Sequence, residues 1–365
     1  MNVTDKLFKS PAFSNRKQDK QLFIDSFKET ALHHYNHNFV FKYYFDQANI
    51  HPNNLNTEND LIKVPPMLVN IFKENELRSV SSKKIVLTLT SSGTSGQKSQ
   101  MLLDQQSLDR VKQSAYKIHQ DMNMTSSKLY NYLCFTYDPH VANDLGTAFT
   151  DELLTSFTGK NKVYYAIQWD DKKKDFALNE QGVLETLYQF AKDPYPTRIL
   201  GFPAFLYKIL LENKIKIKLG PEAWVQTGGG WKGHLDQEIE KKAFRQFISE
   251  SLGLPQSNIR DMFGMVEHGI PYIDCEKGNL HIPNFSRVYI RDPKSMKNLP
   301  IGQKGLIHFL GSYNTSYPSI SLLTTDWGRI GTCNCSVGGH TLEILGRAGV
   351  SKSKGCALKS LELLK

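Results

Sequence analysis

The chain has 365 residues, of which 40% are hydrophobic and 22% charged, and this ordinary globular composition excludes a mainly disordered protein. Its net charge of +9 would suit a polyanionic partner, but the lysines are scattered along the sequence, and we expect no nucleic-acid partner. Residues 1–20 contain no apolar segment typical of a signal peptide, and no apolar run approaches the about 18 residues of a membrane span, which predicts a cytoplasmic protein without a transmembrane segment.

Hydrophobic periodicity predicts helices and strands that alternate through the first two thirds of the chain. Residues 20–50 are helix-like, because apolar side chains recur there at spacings of three and four. Strands are predicted at residues 84–90, 130–136, 163–167, 198–200 and 223–226, and helices at 183–191 and 203–211. This alternation is typical of a parallel sheet with helices on its faces. From residue 272 onward, short strands and turns at 281–283, 287–290, 305–310 and 319–323 favour a smaller β-rich subdomain.

A loop rich in Ser, Thr and Gly follows the first predicted strand, and it consists of Ser91, Ser92, Gly93, Thr94, Ser95, Gly96, Gln97 and Lys98. Its backbone N–H groups and hydroxyls can bind phosphate oxygens, glycine permits close approach, and Lys98 supplies positive charge. The loop differs from the G-x-x-x-x-G-K-[ST] pattern, since only two residues separate Gly93 from Gly96. We interpret it as a phosphate-binding loop, with a plain turn as the alternative.

The chain contains five cysteines, an odd number that favours metal binding or nucleophilic chemistry over a disulfide framework. Cys275, His281, Cys333 and Cys335 supply three thiols and one imidazole, the ligand set of a closed tetrahedral zinc site. The alternative is a group of unrelated buried thiols.

The serine-rich loop is similar to the Ser/Thr-Ser-Gly-Thr-x-Gly-x-x-Lys signature of the adenylate-forming superfamily, which includes acyl-CoA synthetases, luciferases and peptide-synthetase adenylation domains. Three further motifs resemble those of that superfamily and follow in its order: Phe263-Gly264-Met265-Val266-Glu267, Thr325-Asp326 and Gly346-Arg347. Within the superfamily, three segments resemble the acyl-protein synthetases of bacterial luminescence systems: residues 33–38, residues 227–232 and residues 354–358. This similarity covers most of the chain.

The resemblance implies an α/β fold, the large N-terminal domain of adenylate-forming enzymes, with parallel sheets, flanking helices and a smaller β-rich subdomain. The C-terminal lid domain of the superfamily is expected to be absent, because the sequence stops soon after Gly346-Arg347. We predict a helical N-terminal region over 1–80, an α/β nucleotide- and acyl-binding core over 81–270, a β-rich subdomain over 271–345, and a truncated hinge and tail over 346–365.

The resemblance also implies a ligase that uses ATP and Mg²⁺ to activate a carboxylic acid, expected to be a fatty acid, as its acyl-AMP with release of pyrophosphate. The acyl group would then pass to a cysteine thiol, with a reductase, an acyltransferase or a carrier protein as partner. Two alternatives stay open. One is a single-domain ligase that transfers the acyl group to CoA or a carrier-protein thiol, and the other is a non-catalytic scaffold that binds nucleotide.

Residue roles follow from the resemblance. The loop from Ser91 to Lys98 would bind the β- and γ-phosphates, and Glu267 would coordinate Mg²⁺, although a plain surface carboxylate is the alternative. The adenine would lie between Gly228, Gly229 and Gly230 on one side and Phe263, Gly264 and Met265 on the other. Asp326, otherwise a turn residue, would bind the ribose hydroxyls, and Arg347 the ribose or phosphate.

Three further assignments depend on the same resemblance. Lys98 or Lys232 would supply the charge that the missing lid normally brings, unless Lys232 is only a solvent-facing residue. Cys356 would be the acyl acceptor, because neighbouring lysines favour its thiolate, unless it is a buried structural thiol. Phenylacetate-CoA ligase-like members carry a similar Cys-His-Cys-Cys arrangement, which favours structural zinc. Val266 and Thr325 replace the Thr and Gly of the superfamily motifs.

Overall fold

The computed structural model describes residues 2–75, 77–90, 100–137, 146–170, 174–231 and 238–347. The helices in these ranges are α1 Val3–Lys9, α2 Lys17–His37, α3 Phe39–Gln47, α4 Glu58–Ile62, α5 Ile71–Glu74, α6 Gln105–Asp121, α7 Gly146–Thr155, α8 Glu180–Phe190, α9 Pro203–Glu212 and α10 Lys241–Leu252. The strands are β1 Met67–Leu68, β2 Ile85–Thr90, β3 Gln100–Asp104, β4 Leu129–Tyr137, β5 Gly159–Asp170, β6 Asp175–Leu178, β7 Thr197–Gly201, β8 Trp224–Gly228, β9 Ile259–Phe263, β10 Tyr272–Ile273, β11 Leu280–His281, β12 Ser286–Arg291, β13 Gly305–Gly311, β14 Ser321–Thr332 and β15 His340–Arg347. Among these described helices, none combines the length and the apolar character that crossing a bilayer requires.

The larger sheet has seven strands in the order β10-β9-β8-β7-β4-β5-β6. Its five central strands run parallel, while β10 and β6 pair antiparallel at the two edges. Alternate residues of β4 face opposite sides, so Leu133 packs in the core with α8, α9 and α10, whereas Tyr132 packs in a smaller core that includes Ala115 of α6 and Leu154 of α7. The predicted parallel sheet with helices on its faces is confirmed.

The second sheet is antiparallel in the order β11-β15-β14-β13-β12, and β1 joins β14 in parallel. Its strands confirm the predicted β-rich texture of the C-terminal third. One hydrophobic core joins this sheet to the N-terminal helices and to the β2–β3 hairpin, since it contains Phe27, Leu103 and Phe309 together. The domain boundaries at residues 80, 270 and 345 stay predictions.

The helix-like character predicted for residues 20–50 is divided between two helices, α2 and α3. Helix α2 ends at His37, and Asn38 adopts an extended conformation with φ −136° and ψ 113°. The Asn38 side chain then caps the next helix, because its oxygen accepts a hydrogen bond from the Phe41 amide at 2.9 Å. Apolar periodicity continues across this break because Phe27 of α2 and Phe41 of α3 pack in the same core.

Two fully buried histidines hold elements together in the neutral form. His34 Nδ1 lies 2.7 Å from Ser79 Oγ and its Nε2 lies 2.8 Å from the Asn314 carbonyl oxygen. His119 Nδ1 lies 2.7 Å from the Ala115 carbonyl oxygen, and its Nε2 lies 2.9 Å from Gln226 Nε2. Burial lowers the pKa of His34 to about 3 and that of His119 to about 4.

These two rings predict an acid-sensitive fold. Each ring binds a proton near pH 6.5 in the unfolded chain but only near pH 3 to 4 in the folded chain, so the unfolded state takes up more protons as the pH falls. We expect the free energy of unfolding to drop by about 3 kcal/mol in total between pH 6.5 and 5 from this source. Urea unfolding of the His119→Gln variant across this interval should recover about half of the drop, and a parent-like pH dependence would contradict the assignment.

Candidate active site

The carboxyl ends of three neighbouring parallel strands form one edge of the larger sheet. Gly201 of β7 pairs with Thr227 of β8, and Gly228 of β8 pairs with Met262 of β9. Ligands of open α/β sheets bind in the crevice outside such strand ends. The glycine run after β8 and Phe263 at the end of β9, both predicted to flank an adenine, therefore lie on adjacent strands of this edge.

The central position of the glycine run, Gly229, accepts only a residue without a Cβ atom. Gly229 has φ +80°, and a Cβ placed there would lie 2.6 Å from Cε1 of Phe202. By contrast, a Cβ on Gly230 or on Gly264 would meet no atom of the described residues within 4 Å. The described part of the chain therefore leaves both positions uncrowded, one after β8 and the other after β9.

Glu267 is a buried carboxylate in the turn that follows β9. The residue is 6% exposed, and within the described part of the chain no side-chain hydrogen bond or ion pair reaches its carboxylate. Its negative charge acts on Tyr313, whose pKa is raised mainly by burial and further by Glu267. A largely buried carboxylate that no described residue pairs with an opposite charge is suited to receive a cation.

Tyr313 and its neighbour Asn314 connect the surroundings of Glu267 to the β2–β3 hairpin. The Tyr313 hydroxyl donates to Met101 Sδ at 3.6 Å, and Asn314 Nδ2 donates to the same sulfur at 3.0 Å. Met101 directly follows Gln100, whose register partner across the hairpin is Thr90. Thr90 and Gln100, the described residues that flank the predicted phosphate loop, therefore lie at the end of the hairpin where Met101 contacts Tyr313.

Asp326 and Arg347 lie opposite each other in the smaller sheet. They are register partners on β14 and β15, and Arg347 Nε lies 3.7 Å from Asp326 Oδ1. The Arg347 side chain is 48% exposed and that of Asp326 is 15% exposed, so water screens the pair and it contributes little to stability. The structure brings these two predicted site residues together, and their roles toward ribose and phosphate stay predictions.

Several predicted residues lie outside the described residues, and they are Ser91, Ser92, Gly93, Thr94, Ser95, Gly96, Lys98, Lys232 and Cys356. Met265, in contrast, lies within the described residues. Its partly buried side chain packs against the core that joins the second sheet to the N-terminal helices.

The three cysteines and the histidine of the predicted metal site do come together. Their ligand atoms all lie within 4.8 Å of one another, with Cys275 Sγ 3.9 Å from Cys333 Sγ and Cys335 Sγ 3.2 Å from His281 Nε2. Four ligands at about 2.3 Å around a tetrahedral ion would place two sulfurs about 3.8 Å apart. The donor set and its spacing therefore fit a metal ion such as zinc.

The electrostatics of Cys275 agree with a ligand thiolate. Burial alone would raise the pKa of the Cys275 thiol, but the hydrogen bond with His281 and the backbone N–H groups of Asn279 and Lys277 outweigh it and lower the pKa to about 6. A thiolate at neutral pH is the form that binds metal. The site joins β11 to the segment between β14 and β15.

Sequence reasoning missed the segment between β13 and β14, residues 312–320, as part of this region. Thr315 and Asn314 are held through their carbonyl oxygens by His33 and His34, respectively, each at 2.8 Å. The histidine-rich segment at 33–38 was singled out only for its resemblance, and its repeated imidazoles were the available signal. No local pattern pointed to Tyr313.

The fold is that of the adenylate-forming ligases, a class with which the strand-end crevice and the buried Glu267 agree. A solved structure of 2-hydroxyisobutyryl-CoA ligase in complex with 2-HIB-AMP and CoA superposes with a TM-score of 0.69 at 15% identity, covering 90% of this chain and 69% of that one. A second structure of that ligase, in the postadenylation state, gives 0.67 and covers 92% and 69%.

Within this class, the chain belongs to the acyl-protein synthetase family LuxE, whose sequence model matches residues 1–364. It is 25% identical to the long-chain-fatty-acid–luciferin-component ligase of Aliivibrio fischeri over 97% of this chain and 90% of that protein. It is 26% identical to the ligase of the same name from Vibrio harveyi, over 94% and 88%. The family prediction made from the motifs is confirmed.

Proposed function

We propose that the chain activates a long-chain fatty acid with ATP and then carries the acyl group as a thioester. The observation that carries this proposal is the buried carboxylate of Glu267, which no described residue pairs with an opposite charge and which acts on Tyr313, a neighbour of the hairpin that leads into the serine-rich loop. Membership of the acyl-protein synthetase family supports it. The relatives named as long-chain-fatty-acid ligases favour a fatty acid as the substrate.

The first half-reaction converts a poor electrophile into a good one. An oxygen of the fatty-acid carboxylate attacks the α-phosphorus of ATP, the bond from that phosphorus to the bridging oxygen breaks, and pyrophosphate leaves. The proposal assigns the β- and γ-phosphates to the N–H groups and hydroxyls of the loop from Ser91 to Ser95, with Lys98 balancing their charge. Mg²⁺, when bound at Glu267, would neutralise charge on the transferring phosphoryl group.

The strand ends would hold the nucleoside. No described residue crowds Gly230 or Gly264, so a planar base would have room beyond the ends of β8 and β9. Asp326 would accept hydrogen bonds from the ribose hydroxyls, and Arg347, which already lies near that carboxylate, would approach the ribose or the α-phosphate. Lys232 follows the glycine run and would contact the developing acyl phosphate.

The second half-reaction moves the acyl group to sulfur. The thiolate of Cys356 attacks the acyl carbonyl carbon, the bond to the phosphate oxygen breaks, and AMP leaves with that oxygen. A reductase or an acyltransferase would be the partner that uses or supplies the acyl group. Transfer to CoA or to a carrier-protein thiol is the alternative, and it differs only in which thiol attacks.

Fatty-acid-dependent exchange of radiolabelled pyrophosphate into ATP tests the first half-reaction. We expect exchange that requires both Mg²⁺ and a fatty acid, with a preference for long chains, because each buried methylene contributes about 0.8 kcal/mol. ATP binding without any acid-dependent exchange would instead support the non-catalytic scaffold. Covalent acylation of the protein in the absence of CoA separates a Cys356 acceptor from the CoA alternative.

We also propose that the Cys275, His281, Cys333 and Cys335 cluster holds one structural zinc ion. Four protein ligands fill a tetrahedral shell, so the ion would not act on substrate. It would instead fix the turn that follows β10 to the turn between β14 and β15, two segments that are 58 residues apart at Cys275 and Cys333.

Metal analysis tests this site. We expect about one zinc per chain in the parent protein and less than about 0.1 in Cys335→Ser, with a thermal midpoint lower by about 5–10 °C. The Cys134→Ala variant, which removes a buried thiol outside the cluster, should keep its zinc. A parent protein purified without chelators that contains no zinc would refute the assignment.

A further inference from the structure

A charge cluster around the buried Asp274, consisting of Lys241, Asp261 and Asp274, lies between the Cys/His cluster and the strand ends. Lys241 Nζ lies 3.1 Å from Asp274 Oδ1 and 3.5 Å from Asp261 Oδ2. The Asp274 side chain is 1% exposed, that of Asp261 is 32% exposed, and that of Lys241 is 41% exposed. One ammonium group, at the start of α10, therefore serves two carboxylates.

Asp274 also holds the backbone of β9 at Asp261. Its Oδ2 accepts a hydrogen bond from the Asp261 amide at 3.0 Å, and its own amide donates to the Asp261 carbonyl oxygen at 2.9 Å. The Arg260 guanidinium donates to the Asp274 carbonyl oxygen at 2.8 Å. The next residue along the chain is Cys275, so the charge cluster is continuous with the metal-ligand segment.

Asp261 reaches the strand ends that the proposed function assigns to the nucleotide. The Thr227 hydroxyl of β8 donates to Asp261 Oδ1 at 3.1 Å, one residue before the glycine run begins. Side chains two apart on a strand point to the same face, so Asp261 lies on the same face of β9 as Phe263. The carboxylate that Lys241 holds therefore borders the proposed nucleotide site.

The positive charge of Lys241 affects how well an anionic nucleotide would bind beside this cluster. The Lys241 ammonium and the Arg260 guanidinium both lie beside the two carboxylates, so the cluster is close to neutral as it stands. Removing the ammonium would add one unit of negative charge near a ligand that is itself a polyanion, and it would also release Asp261 from the orientation set between Thr227 and Lys241. Both effects oppose the binding of a nucleoside triphosphate, and neither alters the atoms that react.

We propose that Lys241 is a positioning residue for ATP, which orients Asp261 of β9 and offsets the charge of the carboxylate cluster beside the nucleotide site. This inference rests on the proposed function and adds to it a residue that contacts neither the phosphates nor the fatty acid. It also connects the Cys/His cluster to the nucleotide site, since Asp274 precedes Cys275 and pairs with Lys241.

The test compares Lys241→Met with Lys242→Met, a change of the same type at the exposed next residue of α10. In fatty-acid-dependent pyrophosphate exchange, we expect Lys241→Met to raise the KM for Mg·ATP about tenfold, the loss expected for a hydrogen bond to a charged group. The kcat, the KM for the fatty acid and the zinc content should stay at parent values. Lys241→Arg should restore most of the ATP affinity, and Lys242→Met should behave like the parent.

Calorimetry with Mg·ATP gives a second readout that does not depend on turnover, and Lys241→Gln replaces Lys241→Met if that variant fails to fold. A parent-like KM and Kd for ATP in the Lys241 variant would overturn the inference while leaving the proposed function intact. An equal rise of KM for ATP and for the fatty acid, together with a lower thermal midpoint, would show a merely structural residue and overturn it as well. A parent protein without any exchange would instead refute the proposed function, and this inference with it.

Discussion

Glu267→Gln is expected to reduce fatty-acid-dependent pyrophosphate exchange by about 100-fold or more, the size of effect seen when one group that stabilises transition-state charge is removed. The substitution keeps the shape of the side chain but removes the charge that would hold Mg²⁺. The same change should leave the thermal midpoint at or above that of the parent, because Glu267 is 6% exposed and a neutral amide is less costly to bury than an unpaired carboxylate.

This opposite effect on activity and stability is what distinguishes a binding carboxylate from a structural one. Replacing a carboxylate that stabilises the fold would lower the free energy of unfolding. Replacing one that is kept for a ligand would relieve strain in the free protein. Glu250→Gln, at an exposed position on α10, serves as the control and should retain parent activity and stability. If Glu267→Gln exchanged pyrophosphate like the parent, the carboxylate would have no part in the reaction.

Which parts of the fold could be predicted depends on how local their cause is. The strand at residues 130–136 reads as a continuous apolar run because a central parallel strand is buried on both faces, and β4 is indeed buried along its whole length after Leu129. The two-residue strands β1 and β10 could not be found, because no periodicity can be read from two residues, and β11 was predicted one residue late, at 281–283. Their existence depends on partners such as β14, which lies about 250 residues from β1 along the chain.

The sequence did not predict that the segment between β13 and β14 belongs to the candidate site, because this segment is polar and yet buried. Ser312, Asn314, Ser316 and Ser319 give the segment between β13 and β14 the composition of an exposed turn, yet all four are buried. They are satisfied by distant groups, as when Ser26 donates to Ser312 across 286 residues of sequence. The contacts of Lys241 also join residues that are distant in sequence, because no pattern near Lys241 predicts that Asp261 and Asp274 lie beside it.

The motifs, in contrast, could be located because their chemistry depends on adjacent residues. Gly229 must lack a Cβ to pass Phe202, and the three thiols and one imidazole of the Cys/His cluster are recognisable as a ligand set before their positions in space are known. What the motifs could not supply is the environment of each residue. The burial of Glu267 and its proximity to Tyr313 arise from packing between separate elements.

Cys356→Ser is expected to abolish covalent labelling of the protein by radiolabelled fatty acid while leaving fatty-acid-dependent pyrophosphate exchange within about twofold of the parent. Exchange depends only on formation and reversal of the acyl adenylate, whereas labelling requires a thiolate that attacks it, and a serine hydroxyl at neutral pH is a far weaker nucleophile. In the parent, neutral hydroxylamine should release the label, because it cleaves a thioester much faster than an oxygen ester.

Cys134→Ala is the matched control, since the Cys134 thiol is fully buried in β4 and has no access to an acyl adenylate formed at the strand ends. That variant should be labelled like the parent. Labelling of Cys356→Ser at the parent level would remove Cys356 as the acceptor, and a dependence of acyl transfer on added CoA would then favour the ligase alternative. Loss of both exchange and labelling would instead place Cys356 in the first half-reaction, because only a group needed before the adenylate forms can affect exchange.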